Sequence, residues 1–169
     1  MNAPSLLGQP ITRREDQRFL TGRGRYADNT APADALAVLF VRSPHAHARI
    51  AGIDKRAALS SPGVVAIYTA DDLLADGVGH LPAISEIKDE AGNRHHEPTH
   101  LPMPTGKVRH VGDIVAMIAA STIDQARDAA EALAVDYEEL PAVVTAAQAL
   151  ADGAALVHDD VPGNLICRW

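Results

Sequence analysis

Two histidines, His45 and His47, stand two residues apart within the stretch FVRSPHAHARI. Side chains at this spacing point to the same face of a β-strand, so the pair could supply two imidazole ligands to a zinc or iron ion. Pro44 directly precedes the pair and disfavours a regular strand, and no acidic residue lies nearby at metal-ligand spacing. We therefore predict that one histidine donates to a backbone carbonyl at a turn while the other faces solvent. The alternative is a small histidine–metal protein.

A second group of histidines lies in the segment 76–106, which is interrupted by prolines and glycines. Neighbouring side chains on a regular element diverge, so His95 and His96 are not expected to bind one ion together. Because Asp, Glu and Asn residues surround them, we predict that both are solvated. A loop of this length inside a compact domain is usually functional or disordered.

The other reactive residues form no complete catalytic pattern. Ser43 is close to His45 in sequence, but no G-x-S-x-G turn surrounds it. Cys167 is the only cysteine, which excludes an internal disulfide and a thiolate cluster. Gly22 and Gly24 lack the third glycine and the preceding strand of a dinucleotide-binding fingerprint. Taken one by one, the residues predict no catalytic, cofactor-binding or metal-binding site in this chain.

The composition is typical of a globular protein, with 47% hydrophobic and 22% charged residues in a chain of 169. Aromatic residues make up only 4%, so the core is expected to consist of Ala, Val, Leu and Ile. The net charge of −7 disfavours nucleic acid as a partner, because phosphate binding requires a basic surface. The N-terminus does not resemble a secretory signal, and no apolar run approaches the roughly 18 to 20 residues of a membrane span. We expect a cytoplasmic protein that binds neither nucleic acid nor membranes.

The hydrophobic pattern predicts short strands and helices in irregular alternation. The five longer strands are predicted at 36–41, 47–54, 64–69, 114–119 and 134–140. The first and third are continuous apolar runs, which indicates burial on both faces. About four helices are predicted, at 55–60, 69–74, after Thr122 and within 143–153. This order favours an α+β fold over a regular Rossmann repeat.

Local pairs support the longest predicted helix. Thr122 and Gln125 have the spacing of a capping box, with Thr122 as the N-cap. Arg127 and Glu131 are expected to form an exposed i,i+4 ion pair. The N-terminal stretch TGRGRYADN, by contrast, is predicted to form a loop or a short strand, because its glycines disfavour a helix.

Five stretches, in this order, resemble one known family: LTGRGRYADN, LFVRSPHAHARIAGID, PGVVAIYTADDL, GKVRHVGDIVAMIAASTIDQARDAAEALAVDYEELPAVV and LVHDDVPGN. Together they resemble the N-terminal α/β-hammerhead domain of the molybdopterin-binding large subunit of xanthine dehydrogenases, aldehyde oxidases and aerobic carbon monoxide dehydrogenases. The resemblance covers about residues 8–165, and the ordered set carries it rather than any single motif. It implies an α/β-hammerhead fold of mixed short strands with about four helices.

The resemblance also implies a division of the chain. Residues 1–34 are expected to form an N-terminal extension with a Gly-rich loop, and residues 35–160 the hammerhead domain. Residues 161–169 are expected to begin a linker to molybdopterin-binding domains that this chain does not contain.

Five positions resemble a structural signature of the family. Arg42, Ser43, Pro44 and His45 resemble its R-S-P-H turn between the first two core strands, and Gly112 resembles the glycine before the strand that leads into the capped helix. The resemblance implies packing, turn and domain-interface roles for these residues.

For the complete enzyme, the resemblance implies a molybdenum hydroxylase that acts on an aldehyde, an N-heterocycle or a related small molecule. The molybdopterin cofactor is expected to be held by later domains, so this chain alone should bind no cofactor and be inactive. Because the resemblance begins close to Met1, we expect the 2Fe-2S clusters and FAD on partner subunits. These would be an iron–sulfur small subunit and an FAD-containing medium subunit.

The loop at 81–103 is longer and richer in histidine than the resemblance leads us to expect. In related enzymes the equivalent region lies near the entrance of the substrate funnel. Five residues are therefore predicted to shape access to the active site of the complete subunit: Leu81, Ile84, His95, His96 and Met103. The alternative to an enzyme domain is a free-standing binding or assembly module that reuses the hammerhead fold, with this loop as its ligand site.

Overall fold

The computed structural model describes residues 7–82 and 87–168, and the chain divides into two compact units, residues 1–35 and 36–169. In the described part of the first unit, α1 (Asp16–Leu20) ends just before Gly22, whose φ is +69°. The ring of Phe19 stacks on that of Tyr26, with centroids 5.6 Å apart. The loop predicted for residues 21–29 is confirmed: α1 ends before this stretch, which contains no α-helix or strand and ends in a short 3-10 turn, Ala27–Asn29.

The described residues of the second unit contain two three-stranded antiparallel sheets. In chain order its strands are β1 (Ala37–Arg42), β2 (Ala48–Asp54), β3 (Val64–Tyr68), β4 (Lys107–Val108), β5 (Ile114–Ala120) and β6 (Ala134–Glu139). The first sheet has the order β1-β5-β3 and the second has the order β4-β2-β6. Both the β1–β2 connection and the β4–β5 connection therefore pass from one sheet to the other.

The helices of the second unit are α2 (Arg56–Leu59), α3 (Ala70–Ala75), α4 (Ile123–Ala132) and α5 (Ala146–Ala149), and a short 3-10 turn covers Pro162–Asn164. Their positions agree with the four predicted helices, and the α+β class is confirmed. No helix in the described ranges is long and apolar enough to cross a membrane.

A small aliphatic core lies between α4 and the first sheet. Ala126 and Ala129 of α4 are fully buried, and they belong to one cluster with Ile118 of β5, Ile67 of β3 and Ala58 of α2. Burial of these side chains is the main source of stability for this layer. The prediction of a core built from Ala, Val, Leu and Ile is confirmed for this cluster.

A second cluster lies at the second sheet. Ala48 of β2, Val108 of β4 and Val115 of β5 are almost completely buried there. Val41 of β1 is partly buried and packs against both clusters. The two sheets are therefore joined by packing close to the point where β1 leads into β2.

The prediction that the first and third strands are buried on both faces is wrong. In β1, Val38 and Phe40 are 45% and 43% exposed, whereas Leu39 packs against the core. In β3, Tyr68 is 36% exposed, whereas Ile67 is buried. An apolar run cannot show which of its faces receives a helix, and α4 packs on only one face of this sheet.

The predicted N-cap of α4 is confirmed, because the Thr122 hydroxyl accepts a hydrogen bond from the Gln125 N–H at 3.2 Å. The reciprocal bond of a capping box is not seen: Gln125 Oε1 is buried without a partner among the described residues. The predicted Arg127–Glu131 pair is also wrong. Arg127 Nη1 donates instead to Asp124 Oδ1 at 2.7 Å, in the first turn, where a carboxylate also interacts favourably with the helix dipole.

One carboxylate ties α3 to the start of α2. Asp72 Oδ2 accepts hydrogen bonds from Lys55 Nζ at 2.9 Å, from the Thr69 N–H at 2.7 Å and from the Thr69 hydroxyl at 2.8 Å. The bond from Lys55, followed by the bond from the Thr69 backbone, lowers the pKa of Asp72 from 3.8 to about 2.

Replacing Asp72 tests this contact through its pH dependence. A depressed pKa in the folded state means that the carboxylate stabilises the fold above the ordinary pKa of 3.8, and that this contribution is lost as the pH falls towards 2. We expect Asp72→Asn to lower the free energy of unfolding by about 1 kcal/mol at neutral pH. Urea titrations should show the difference from wild type shrinking as the pH falls from about 4 towards 2.

Asp71→Asn is the matched control, since Asp71 is the neighbouring exposed carboxylate on the same helix. It should change the unfolding free energy by less than about 0.5 kcal/mol. A deficit for Asp72→Asn that stays constant across this pH range would contradict the assignment.

Candidate functional site

Successive strands alternate between the two sheets, and two of the connections that cross between them are hydrogen-bonded to each other. Residues 43–47 connect β1 to β2, and residues 109–113 connect β4 to β5; we call these two segments the junction. The Ser43 N–H donates to the Asp113 carbonyl at 2.8 Å, and the Gly112 N–H donates to the Ser43 carbonyl at 2.9 Å. Two main-chain bonds thus hold the two crossings at a fixed position.

The signature residues reinforce this junction. Arg42, at the end of β1, donates from Nη1 to the Gly112 carbonyl at 2.8 Å. Gly112 has a φ of +91°, in the left-handed region that favours glycine. Ser43 is 2% exposed, and its hydroxyl accepts from the His45 N–H at 3.0 Å and donates to the His45 carbonyl at 3.1 Å. These two bonds close a tight turn over residues 43–45, and Pro44 is exposed in this turn.

His47 has the backbone contact predicted for one of the two histidines. It is 5% exposed, and its Nδ1 lies 2.8 Å from the Pro141 carbonyl, so that nitrogen carries the proton and donates it. Its Nε2 is buried and has no hydrogen-bond partner in the described part of the chain. Leu140 N–H also donates to the His47 carbonyl at 2.9 Å, so this residue ties the start of β2 to the end of β6.

His45 does not simply face solvent, which corrects the prediction for the second histidine. Its ring centroid lies 4.8 Å from that of Tyr137, and its Nδ1 lies 3.5 Å from Glu139 Oε1. Burial raises the pKa of Tyr137 above its ordinary value of 10.0, so the phenol stays protonated beside the imidazole. Among the residues that the structure describes, no group of three or more His, Cys, Asp or Glu could hold a metal ion.

A cleft of about 700 Å³ lies between the loop that precedes β4 and the C-terminal segment. Its walls combine apolar and titratable side chains, among them Leu81, Leu101, Ile166, His95, His100, Arg109, His110 and His158. Arg109 is held by its Nε, which donates to the Val157 carbonyl at 3.1 Å, and by its Nη1, which donates to the Lys107 carbonyl at 3.0 Å. Burial, with a further contribution from the Arg109 charge, lowers the pKa of His158 below 6.5, so this imidazole is neutral at pH 7.

The residues predicted to shape substrate access are placed differently from one another. Leu81 and His95 line the cleft. His96 is outside its lining, and Met103 is only 4% exposed. Ile84 lies outside the described residues.

The prediction that both histidines are solvated is confirmed for His96, which is exposed, whereas His95 is only partly exposed; each also has a protein partner. His95 Nδ1 lies 3.0 Å from the Ile87 carbonyl, and His96 Nε2 lies 3.0 Å from Asp160 Oδ2. The bond to His96 lowers the pKa of Asp160.

One buried cation was not singled out by sequence reasoning. Lys107 of β4 is 6% exposed, and its Nζ donates to the Leu156 carbonyl at 3.1 Å and to Asp159 Oδ1 at 2.8 Å. The hydrogen bond from Lys107 lowers the pKa of Asp159. The two partners are 52 residues apart in sequence, so no local pattern could have revealed the pair.

The fold and these crossings agree with a known domain family. The sequence model of the family "Aldehyde oxidase and xanthine dehydrogenase, a/b hammerhead domain" matches residues 21–141 of this chain. This chain belongs to that family. The resemblance seen in the sequence, and the α/β-hammerhead fold that it implies, are both confirmed.

Relatives and solved structures extend the match over most of the chain. The chain is 36% identical over 150 residues to the xanthine dehydrogenase molybdenum-binding subunit of Escherichia coli O157:H7. This match covers 87% of the hammerhead chain and 19% of that subunit. It is 36% identical over 151 residues to the carbon monoxide dehydrogenase large chain of Hydrogenophaga pseudoflava, a match that covers 89% of the hammerhead chain and 17% of that large chain. The crystal structure of quinoline 2-oxidoreductase from Pseudomonas putida 86 superimposes on this structure with a TM-score of 0.77 and 37% sequence identity. The superposition covers 92% of the hammerhead chain and 19% of the oxidoreductase chain. The hammerhead chain therefore spans about a fifth of the length of these proteins.

The left-handed backbone at Gly112 gives a test of the junction. An added Cβ at Gly112 would meet nothing within 4 Å, so Gly112→Ala introduces backbone strain without a clash. We expect this change to lower the free energy of unfolding by about 1–2 kcal/mol. Chemical denaturation of the purified chain measures the difference.

Gly79→Ala is the control, because a Cβ at Gly79 also meets nothing within 4 Å and no positive φ is recorded there. It should leave stability unchanged or raise it by up to about 1 kcal/mol. Equal effects of the two substitutions would show that the left-handed turn at Gly112 does not constrain the fold.

Proposed function

We propose that this chain is a non-catalytic hammerhead domain of the large subunit of a molybdenum-containing hydroxylase. The proposal rests on the match of the hammerhead family to residues 21–141. It rests also on the relatives, because most of this chain aligns with about a fifth of their large subunits. The role of the domain is to pack and position the rest of the subunit. The alternative, a free-standing binding or assembly module, is tested by the same experiment.

The geometry of the polar residues supports a structural role. Ser43 and His47, the two buried residues with catalytic side-chain types at the junction, are hydrogen-bonded to main-chain groups of the same domain. Arg42 is likewise bonded to a main-chain carbonyl. These side chains stabilise the crossing between the sheets. The Ser43 hydroxyl is also hydrogen-bonded to the Tyr137 phenol, which stays protonated because burial raises its pKa, so this pair does not act as a nucleophile with its base.

We assign no part of the molybdenum-cofactor site to the described residues of this chain. In the described ranges there is no cluster of metal-ligating side chains, and the buried polar side chains at the junction are used by main-chain partners. We therefore assign no step at the metal to this chain. In the complete subunit, other domains would hold molybdopterin, and partner subunits would carry 2Fe-2S clusters and FAD. The assembly would be cytoplasmic.

The substrate class proposed for the complete enzyme is an aldehyde, an N-heterocycle or a related small molecule, which would undergo oxidative hydroxylation. The names of the relatives point to different substrates, among them xanthine, carbon monoxide and quinoline. The hammerhead is common to all of them, so the choice among substrates would be made outside the residues that define this fold.

The direct test is to purify the protein that carries this sequence from its native host through an affinity tag. We expect a large subunit that contains near-stoichiometric molybdenum and copurifies with iron–sulfur and FAD subunits. It should oxidise members of a panel of aldehydes and N-heterocycles with an artificial electron acceptor. The 169-residue chain, expressed alone as a control, should contain no molybdenum and show no activity.

Recovery of a native protein of about this chain's 17.8 kDa, without molybdenum or partner subunits, would contradict the proposal. That outcome would favour the free-standing module instead.

We further propose that the cleft adjoins the route of the substrate in the complete subunit, with Leu81 and His95 on its wall. In the complete enzyme, Leu81→Ala and His95→Ala should raise KM by about an order of magnitude with little change in kcat, since they would remove uniform binding. His96→Ala is the control, because His96 lies outside the lining. Steady-state kinetics in which all three variants match the wild type would exclude this role for the cleft.

A further inference from the structure

The two faces of the first sheet differ in what covers them. On one face, Leu39, Ile118 and Ile67 pack against α4 and α2. The side chains of the opposite face are Val38 and Phe40 of β1, Met117 and Ala119 of β5, and Val65, Ala66 and Tyr68 of β3. We call this set the outer face.

Strand register makes the outer face continuous. Met117 of β5 is paired with Phe40 of β1 on one side and with Tyr68 of β3 on the other. Residues that are paired directly across antiparallel strands lie on the same face, so these three side chains form one row. A second row contains Val38, Ala119 and Ala66 by the same register, and the bulge in β3 adds Val65 beside it.

The outer face is apolar although much of it is accessible. Val38, Phe40, Val65 and Tyr68 are 45%, 43%, 58% and 36% exposed, and none of the seven side chains carries a charge. An antiparallel sheet with one solvated face normally alternates apolar and polar residues, with the polar ones facing water. The outer face lacks those polar residues.

The second sheet of the same unit shows the usual arrangement. Its exposed positions include Arg49 of β2 and Glu138 of β6, which are direct cross-strand partners, and Asp136 of β6. Two sheets built from the same chain thus have exposed positions of opposite chemistry. The apolar outer face is therefore a property of the first sheet and not of the chain as a whole.

We infer that the outer face is an internal interface, covered in the complete protein by the part of the same large subunit that follows this chain. The inference rests on the proposed function. The hammerhead is about a fifth of the relatives it matches, so most of such a subunit is available to cover it. A face without charge fits a permanent contact within one polypeptide, because reversible interfaces are about as polar as ordinary protein surface.

Photo-crosslinking in the complete, purified enzyme identifies the occupant. Tyr68 is replaced by the photoreactive aromatic p-benzoylphenylalanine, which keeps a ring at this position, and crosslinked peptides are identified by mass spectrometry. We expect crosslinks to peptides of the same subunit beyond residue 169. Crosslinks to residues 1–35, to a partner subunit or to a second large subunit, or no crosslink at all, would overturn the inference.

A second measurement covers the case in which the aromatic replacement disturbs folding. Val65→Cys is nearly isosteric and lies on the outer face, and Glu138→Cys occupies an exposed strand position in the second sheet. In the native enzyme, maleimide should label the thiol of the Val65→Cys variant at least about 100-fold more slowly than that of the Glu138→Cys variant, with equal rates in urea. Similar native rates would overturn the inference. So would protection of the Val65→Cys thiol that disappears when the large subunit is separated from its partner subunits.

These outcomes are distinct from failure of the proposed function. If the purified protein contains molybdenum and the expected subunits but the Val65→Cys variant is labelled freely, only the covering of the outer face is wrong. If the protein is a free 17.8-kDa chain without molybdenum, the proposed function itself is wrong.

Discussion

The structure depends most on the pair of main-chain hydrogen bonds between Ser43 and the Gly112–Asp113 turn. β1 and β2 belong to different sheets, as do β4 and β5, so the chain crosses between the sheets at both places. The two bonds join these crossings at 2.8 and 2.9 Å. Val41, immediately before the crossing, packs into both apolar clusters. If this contact were lost, the two crossings would no longer be fixed to each other, and the sheets would be held together by the apolar clusters and the other connections alone.

This constraint gives the reactive side-chain types found together at the junction a structural role. The Ser43 hydroxyl is held in the turn by His45 main-chain groups, and His47 donates to the Pro141 carbonyl. These bonds satisfy the Ser43 hydroxyl and His47 Nδ1, and an unpaired buried polar group would cost about 1–3 kcal/mol.

Sequence reasoning succeeded where the signal is local or where ordered stretches could be recognised. The capped start of α4 at Thr122 follows from residue type and spacing, and the fold follows from the order of the family-like stretches. Long-range pairs could not be predicted: Arg42 and Gly112 are 70 residues apart, and Lys107 and Asp159 are 52 apart. The exposed face of β1 was missed for a different reason, because an apolar run has the same pattern whether one face or both are covered.

The most direct measurement of the central claim is hydrogen exchange at individual backbone amides of the native protein, observed by NMR. The Ser43 and Gly112 amides should exchange only when the unit unfolds as a whole, with a free energy of opening within about 1 kcal/mol of that of Ile118 in the central strand β5. Exchange of both junction amides through local opening, orders of magnitude faster while Ile118 stays protected, would contradict the account. It would show that the sheets are held together without the crossing.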